Sequence, residues 1–99
     1  MILVVASILA RPETAEEMAR LTVEHCRRSR AEAGCLAHAV HRDVEEPLRF
    51  VFVERWADRA ALDAHATVAT VRDTVRRLGA LAAERPAMMV YDAHGTAAA

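Results

Sequence analysis

Three polar side chains, Glu54, His38 and His65, stand out because the pattern sets each of them among apolar residues. Glu54 alternates with Phe52 and Trp56 in an apolar run, so in a strand its carboxylate would share one face with two aromatic rings. Burial on such a face would raise the pKa of the Glu54 carboxyl and suit it to general-base catalysis. The alternative is a structural carboxylate that pairs with an arginine or caps a neighbouring element.

The two histidines are candidates for moving a proton near neutral pH. Alternation places His38 on one strand face with Leu36 and Val40, and His65 lies on a later helix. Each of them could equally be a hydrogen-bonded structural histidine, and we interpret His25, on the first helix, in that way.

The sequence contains no spacing typical of a metal site, a phosphate-binding loop or a nucleophilic triad. Two cysteines, Cys26 and Cys35, are too few for a four-cysteine zinc site and form no C-x-x-C motif. All 13 basic residues are arginines, which excludes a Schiff-base lysine. We therefore expect neither a metal nor a cofactor.

The 99 residues suit one small domain. Alternating apolar positions predict strands over 2–9, 35–42, 48–56 and 87–91. A first helix is expected to begin at a capping box formed by Thr14 and Glu17, and Gly34 is expected to end it. A second helix is expected to begin at Asp58, with a break near Thr67.

The resulting order, β-α-β-β-α-β, predicts an α+β, ferredoxin-like sandwich with both helices on one face of an antiparallel sheet. Because the first and third strands are apolar on both sides, the second face must also be covered. We therefore expect two copies to pair into a homodimeric α/β barrel whose facing sheets enclose an apolar chamber. The predicted domain covers 1–93, and a flexible tail covers 94–99.

The charge balance limits the choice of partners. With 13 basic and 14 acidic residues the net charge is −1, so no strong field attracts nucleic acid or an anionic membrane. The apolar stretch 1–10 is too short to span a bilayer and has no basic segment before it. We expect a cytoplasmic protein that binds neither nucleic acid nor membranes.

Three runs of residues carry a family resemblance: E-A-G-C-L at 32–36, F-V-F-V-E-R-W at 50–56 and A-L-D-A-H at 61–65. In this order and at these separations they resemble the antibiotic biosynthesis monooxygenase (ABM) domain. The resemblance implies a ferredoxin-like dimer with one pocket per subunit, in a family that includes cofactor-free oxygenases, haem-degrading enzymes and an isomerase. Haem degradation is disfavoured here, because the chain has no asparagine and Val75 stands near the place of the haem-binding histidine.

The resemblance implies a cofactor-independent monooxygenase that oxidises a small aromatic, quinol or polyketide-type metabolite with dioxygen. In this interpretation His65 or His38 is the base, and Glu54 orients it. The apolar wall of the substrate site would be formed by Trp56, Phe50, Phe52, Leu36 and Val40. Two alternatives stay open: a non-catalytic dimeric module that binds ligands or acts in stress, and an isomerase that uses the same proton-transfer groups.

Overall fold

The computed structural model describes residues 1–98. Its elements are β1 (Ile2–Leu9), α1 (Ala15–Ser29), β2 (Cys35–Arg42), β3 (Arg49–Trp56), α2 (Arg59–Thr67), α3 (Ala69–Leu81) and β4 (Ala87–Asp92). The strands form one antiparallel sheet in the order β2-β3-β1-β4, which confirms the predicted ferredoxin-like α+β fold. Across 1–98 no helix is both long and apolar enough to cross a membrane. Of the predicted tail, Ala99 lies outside the described residues.

The core lies between the helices and one face of the sheet. On that face Ile2 pairs with Trp56 and Ile8 pairs with Phe50 across β1 and β3. All four side chains are at most 6% exposed, and Met18 from α1 is fully buried. This face of β3 also carries Phe52 and Glu54, so the helices cover the side chains that matter most for the chemistry.

The opposite face of the sheet, called the open face below, is only partly covered in the single chain. Leu3 and Val5 of β1 are half-buried there, and they pair with Tyr91 and Met89 of β4, which are 44% and 55% exposed. Val53 of β3 belongs to the same surface. The strong apolar character of this face matches the sequence pattern, and its cover by a second copy stays a prediction.

Helix α1 begins without the predicted capping box. The Thr14 hydroxyl accepts a hydrogen bond from the Arg11 backbone N–H (3.0 Å) and donates one to the Leu81 carbonyl (2.7 Å), and it does not cap α1. Glu17 pairs with Arg20 instead. The capping-box prediction is wrong because the Thr14 hydroxyl joins the start of α1 to the end of α3.

Strand β2 begins with an irregularity that the alternation pattern does not reveal. Cys35 pairs with Trp56, but Ala37 rather than Leu36 takes the next register position. Leu36 is therefore an extra residue in the strand and is 53% exposed. The prediction that Leu36 shares a face with His38 is wrong, and Cys35 holds that place.

The turn before β2 depends on Gly34. Helix α1 ends at Ser29, so Gly34 does not end the helix as predicted but completes the turn that follows it. Its φ of +80° lies in the left-handed region that favours glycine. A Cβ at this position would lie 2.5 Å from the Ala61 Cβ, so the turn packs directly on α2.

Candidate active site

Three buried histidines from three different elements meet beneath the sheet. His25 comes from α1, His38 from β2 and His65 from α2, and their ring centroids lie 5.1, 5.5 and 5.6 Å apart. One nitrogen from each ring lies within 4.8 Å of the other two. The sequence did not reveal this cluster because its members share no helical or strand spacing and come together only when the two helices pack on the sheet.

Glu54 belongs to a buried group with Trp56 and His38. Its Oε1 accepts a hydrogen bond from the Trp56 indole N–H (2.9 Å) and lies 3.3 Å from the His38 Nε2. His38 Nε2 has no hydrogen-bond partner within 1–98, and its contact with Glu54 is electrostatic.

The protonation state of Glu54 differs from the one predicted. Burial raises the pKa of this carboxyl, but the neighbouring His38 imidazole and the Trp56 N–H favour the carboxylate more strongly. The resulting pKa lies below its ordinary value. The prediction of a raised pKa is wrong, and Glu54 is ionised at neutral pH.

His65 is held by a carboxylate that the sequence reasoning missed. Its Nδ1 lies 2.9 and 3.0 Å from the two carboxylate oxygens of Glu32. When Nδ1 donates its proton to Glu32, Nε2 is left with a free lone pair. Glu32 belongs to the E-A-G-C-L run, but no spacing linked it to His65, and the turn at Gly34 brings the two together. Glu32 therefore orients His65, while Glu54 contacts His38.

His25 is neutral in this environment. Its Nδ1 is buried and finds no hydrogen-bond partner among the described residues. Burial, reinforced by the nearby His38 and His65, lowers the pKa of His25 to about 4. Behind the cluster, Cys26 Sγ lies 3.2 Å from His38 Nδ1, and burial raises the pKa of this thiol to about 12. Cys26 is consequently a neutral thiol and a poor nucleophile.

A cavity of about 560 Å³ opens beside the histidines, between the sheet and helices α2 and α3. Its wall is mainly apolar and includes Ile8, Phe52, Leu62, Val71, Leu78 and Met88. The ionisable residues in the wall are His25, Glu54, His65 and Arg72. A cavity of this size and character suits a small, largely apolar ligand that is oriented by a few polar groups.

Some of the predicted site residues meet at this cavity. His65, Glu54 and Phe52 line it. Trp56 and His38 lie one layer deeper: Trp56 is fully buried, its ring centroid is 4.6 Å from that of His65, and His38 contacts Glu54. These two residues support the wall, and within the described chain neither belongs to its surface.

The remaining predicted wall residues lie elsewhere. Phe50 is a core residue with the Arg42 guanidinium 4.5 Å above its ring, and Val40 packs at the edge of the same core. Leu36 is exposed because of the irregularity in β2. Only Phe52 of the predicted apolar wall is therefore among the cavity-lining residues.

The cavity is built by a single chain, on the helix-covered side of the sheet. A chamber between the facing sheets of two copies stays a prediction, but Phe52 and Glu54 do not belong to it, because they face the helices rather than the open face. The sequence could not decide between the two sides, since β3 carries large apolar residues on both of them.

This chain belongs to the antibiotic biosynthesis monooxygenase family, whose sequence profile matches residues 1–77. A solved structure described as an antibiotic biosynthesis monooxygenase is 32% identical, with a TM-score of 0.88 over 96% of this chain and 100% of that one. A structure from Deinococcus radiodurans has a TM-score of 0.94 and covers 100% of this chain and 98% of its own, but at 24% identity it shows the fold alone.

A curated relative, the uncharacterized protein sll1783 of Synechocystis sp., is 31% identical over 90 residues. The match covers 91% of this chain and 61% of that protein. The chain thus spans about three fifths of the length of the curated relative that it matches.

Proposed function

We propose that this protein is a cofactor-independent monooxygenase that oxidises a small aromatic or quinol-type compound with dioxygen. The observation that carries the proposal is the apolar cavity with His65, oriented by Glu32, in its wall. This arrangement offers one proton acceptor, a largely apolar binding surface and space for a single aromatic ring system. The name of the 32% identical relative supports the same class of reaction.

The proposed reaction begins when His65 Nε2 takes a proton from a phenol or an acidic CH₂ group of the bound substrate. The resulting anion transfers one electron to dioxygen, and the two radicals combine to a peroxide. The protonated His65 returns its proton, and the hydroperoxide loses water to leave a carbonyl group. For a CH₂ substrate, CH₂ and O₂ give C=O and H₂O, so the substrate supplies all the electrons.

The carboxylates near His65 support this proton transfer. Glu32 holds the ring through Nδ1, and the ionised Glu54 lies in the cavity wall close by. Two negative charges therefore lie near the ring that accepts the substrate proton. Phe52 and the aliphatic residues of the wall limit the access of water to the substrate anion.

Oxygen uptake tests the proposal directly. Purified protein treated with EDTA should accelerate oxygen consumption in the presence of anthrone or a hydroquinone, because the proposed reaction needs no metal. Ala66 is an exposed residue of α2 that lines the cavity, so Ala66→Phe should fill part of the binding space. This variant should have a kcat/KM at least about tenfold lower than wild type. Ala64→Phe is the matched control, since Ala64 is exposed on the same helix and lies outside the cavity wall.

Two results would count against catalysis. Uptake no faster than without protein would exclude oxygenation of these compounds. If the same compounds nevertheless raised the melting temperature of wild type and not of Ala66→Phe, the cavity would be that of a binding module.

We further infer that two copies pair through the open face. Leu3, Val5, Val53, Met89 and Tyr91 give this face an apolar surface that a single chain leaves partly exposed.

Val53→Asp should shift the sedimentation coefficient of the protein from that of a dimer to that of a monomer, because it buries a charge in the proposed interface. Substrate binding should survive, since the cavity belongs to one chain. If the wild-type protein sedimented as a monomer even at high concentration, the proposed dimer interface on the open face would be refuted.

A further inference from the structure

The histidine cluster contains two buried nitrogens without a hydrogen bond, and these call for an explanation. His25 Nδ1 and His38 Nε2 are both buried and both lack a hydrogen-bond partner within residues 1–98. A buried polar atom without a hydrogen bond destabilises the folded protein. The two residues are only 6% and 1% exposed, and their ring centroids lie 5.1 Å apart.

We propose that His25, His38 and His65 together bind one divalent transition-metal ion of the Zn²⁺ class. Neutral imidazole nitrogens are preferred ligands of such ions, and three of them with an open fourth position form a common site. The inference goes beyond the proposed oxygenase function and does not depend on it.

The geometry of the cluster is close to that of a three-histidine site. The three candidate nitrogens lie within 4.8 Å of one another. Zinc–nitrogen bonds of about 2.0–2.1 Å in a tetrahedral arrangement place the nitrogens roughly 3.3 Å apart, so each ring must move inward by at most about 1 Å. Movements of this size need only small side-chain rotations.

The groups behind the rings are those that typically orient metal-binding histidines. The Glu32 carboxylate accepts from His65 Nδ1, and Cys26 Sγ lies against His38 Nδ1. Both contacts use Nδ1, which makes Nε2 the candidate metal ligand in each ring, and in His38 this atom also lies 3.3 Å from Glu54 Oε1. A carboxylate or sulfur on the far nitrogen fixes the ring orientation, and such partners typically change metal affinity by about 10–100-fold.

The charges around the histidine cluster and its access to the cavity also suit a divalent cation. Neutral histidine ligands leave the charge of the ion uncompensated, but the Glu32 and Glu54 carboxylates lie at His65 and His38 and balance it within the buried site. Because His25, His65 and Glu54 also line the cavity, the fourth position of the ion would be reached from there by water or a small ligand.

The metal and the oxygenase reaction make opposite demands on His65. A bound ion occupies the Nε2 lone pair that the proposed reaction uses as a base. Zinc-loaded protein should therefore lose the oxygen uptake that the EDTA-treated protein shows. Binding itself can be measured whether or not the protein is an oxygenase, so the two proposals can fail separately.

The test is a calorimetric titration of Zn²⁺ into the full chain, freed of any affinity tag and of metal. We expect about one ion per chain, and Co²⁺ in its place should develop the visible absorption bands of a four-coordinate nitrogen site. His25→Gln should weaken Zn²⁺ binding at least about 100-fold, and Glu32→Gln, which keeps all three ligands, about tenfold or more. His94→Ala removes an exposed histidine outside the cluster and should bind as wild type does.

Circular dichroism of each variant shows whether the fold is intact, and Glu32→Gln provides the test if His25→Gln does not fold. The proposal is overturned if wild type shows no saturable binding, or if folded His25→Gln or Glu32→Gln binds as tightly as wild type. An equal loss of binding in His94→Ala would also overturn it.

Discussion

Gly34→Ala should lower the free energy of unfolding by about 2–5 kcal/mol, a large effect for the addition of one methyl group. Two costs combine. The φ of +80° is unfavourable for any residue with a Cβ, and the new methyl group would lie 2.5 Å from the Ala61 Cβ. Since the opposing atom belongs to a short, stiff side chain on α2, the turn or the helix must move. Urea denaturation followed by circular dichroism measures the loss.

Gly79→Ala is the matched control. Gly79 lies within α3, and a Cβ there would meet no atom within 4 Å. Alanine should therefore raise the free energy of unfolding by up to about 1 kcal/mol, through helix propensity alone. Ala61→Gly in the Gly34→Ala background should recover the part of the loss that is due to the collision. If the Gly34→Ala variant had the same free energy of unfolding as the Gly79→Ala variant, the close approach of the turn to α2 would be refuted.

The turn at Gly34 affects both the stability of the fold and the position of the proposed base, His65. Glu32 lies two residues before Gly34, and its carboxylate holds His65 on the helix that carries Ala61. A displacement of the turn relative to α2 would separate the two ends of this hydrogen bond. We therefore interpret the close approach at Gly34 as the feature that sets the distance between Glu32 and His65.

The fold could be predicted because its determinants are local. Alternation in residues 2–9 and 49–56 and helical spacing around Met18 and Leu21 each appear within one segment, and the four predicted strands match the observed ones within a residue at each end. Capping at Thr14 failed as a prediction because its hydroxyl had a distant partner, the Leu81 carbonyl. The predicted orientation of Leu36 was wrong for a similar reason, since only the pairing of β2 with β3 reveals that Leu36 is an extra residue in the strand.

The site was predictable only in part, because it depends on contacts between elements. His65, Glu54 and Phe52 were among the predicted site residues, and all three line the cavity. His25 and Glu32 carried no signal that would have singled them out: His25 resembles any polar residue on the buried side of a helix, and Glu32 lies in a turn. The pKa of Glu54 could not be inferred from burial alone, because its sign depends on His38 and Trp56.

His65→Ala should lower kcat for oxygen uptake by about 10²–10⁴-fold while KM changes little. The reason is that, among the residues that the structure describes, His65 is the only histidine in the cavity wall whose ring is also held by a carboxylate. Added imidazole should restore part of the rate in this variant, because the space left by the ring opens to the cavity. A purely structural role for His65 would not permit such rescue.

Glu32→Gln separates orientation of the ring from its presence. It keeps the shape of the side chain but replaces the carboxylate that holds His65 Nδ1, so kcat should fall by about tenfold at unchanged KM. Glu32→Asp should recover part of this loss because it restores the carboxylate. Glu24→Gln, an exposed carboxylate on α1 that pairs with Arg20, is the control and should keep the full rate. If His65→Ala and Glu32→Gln both kept wild-type kcat, the base would have to be sought elsewhere in the cavity wall, with Glu54 as the remaining carboxylate.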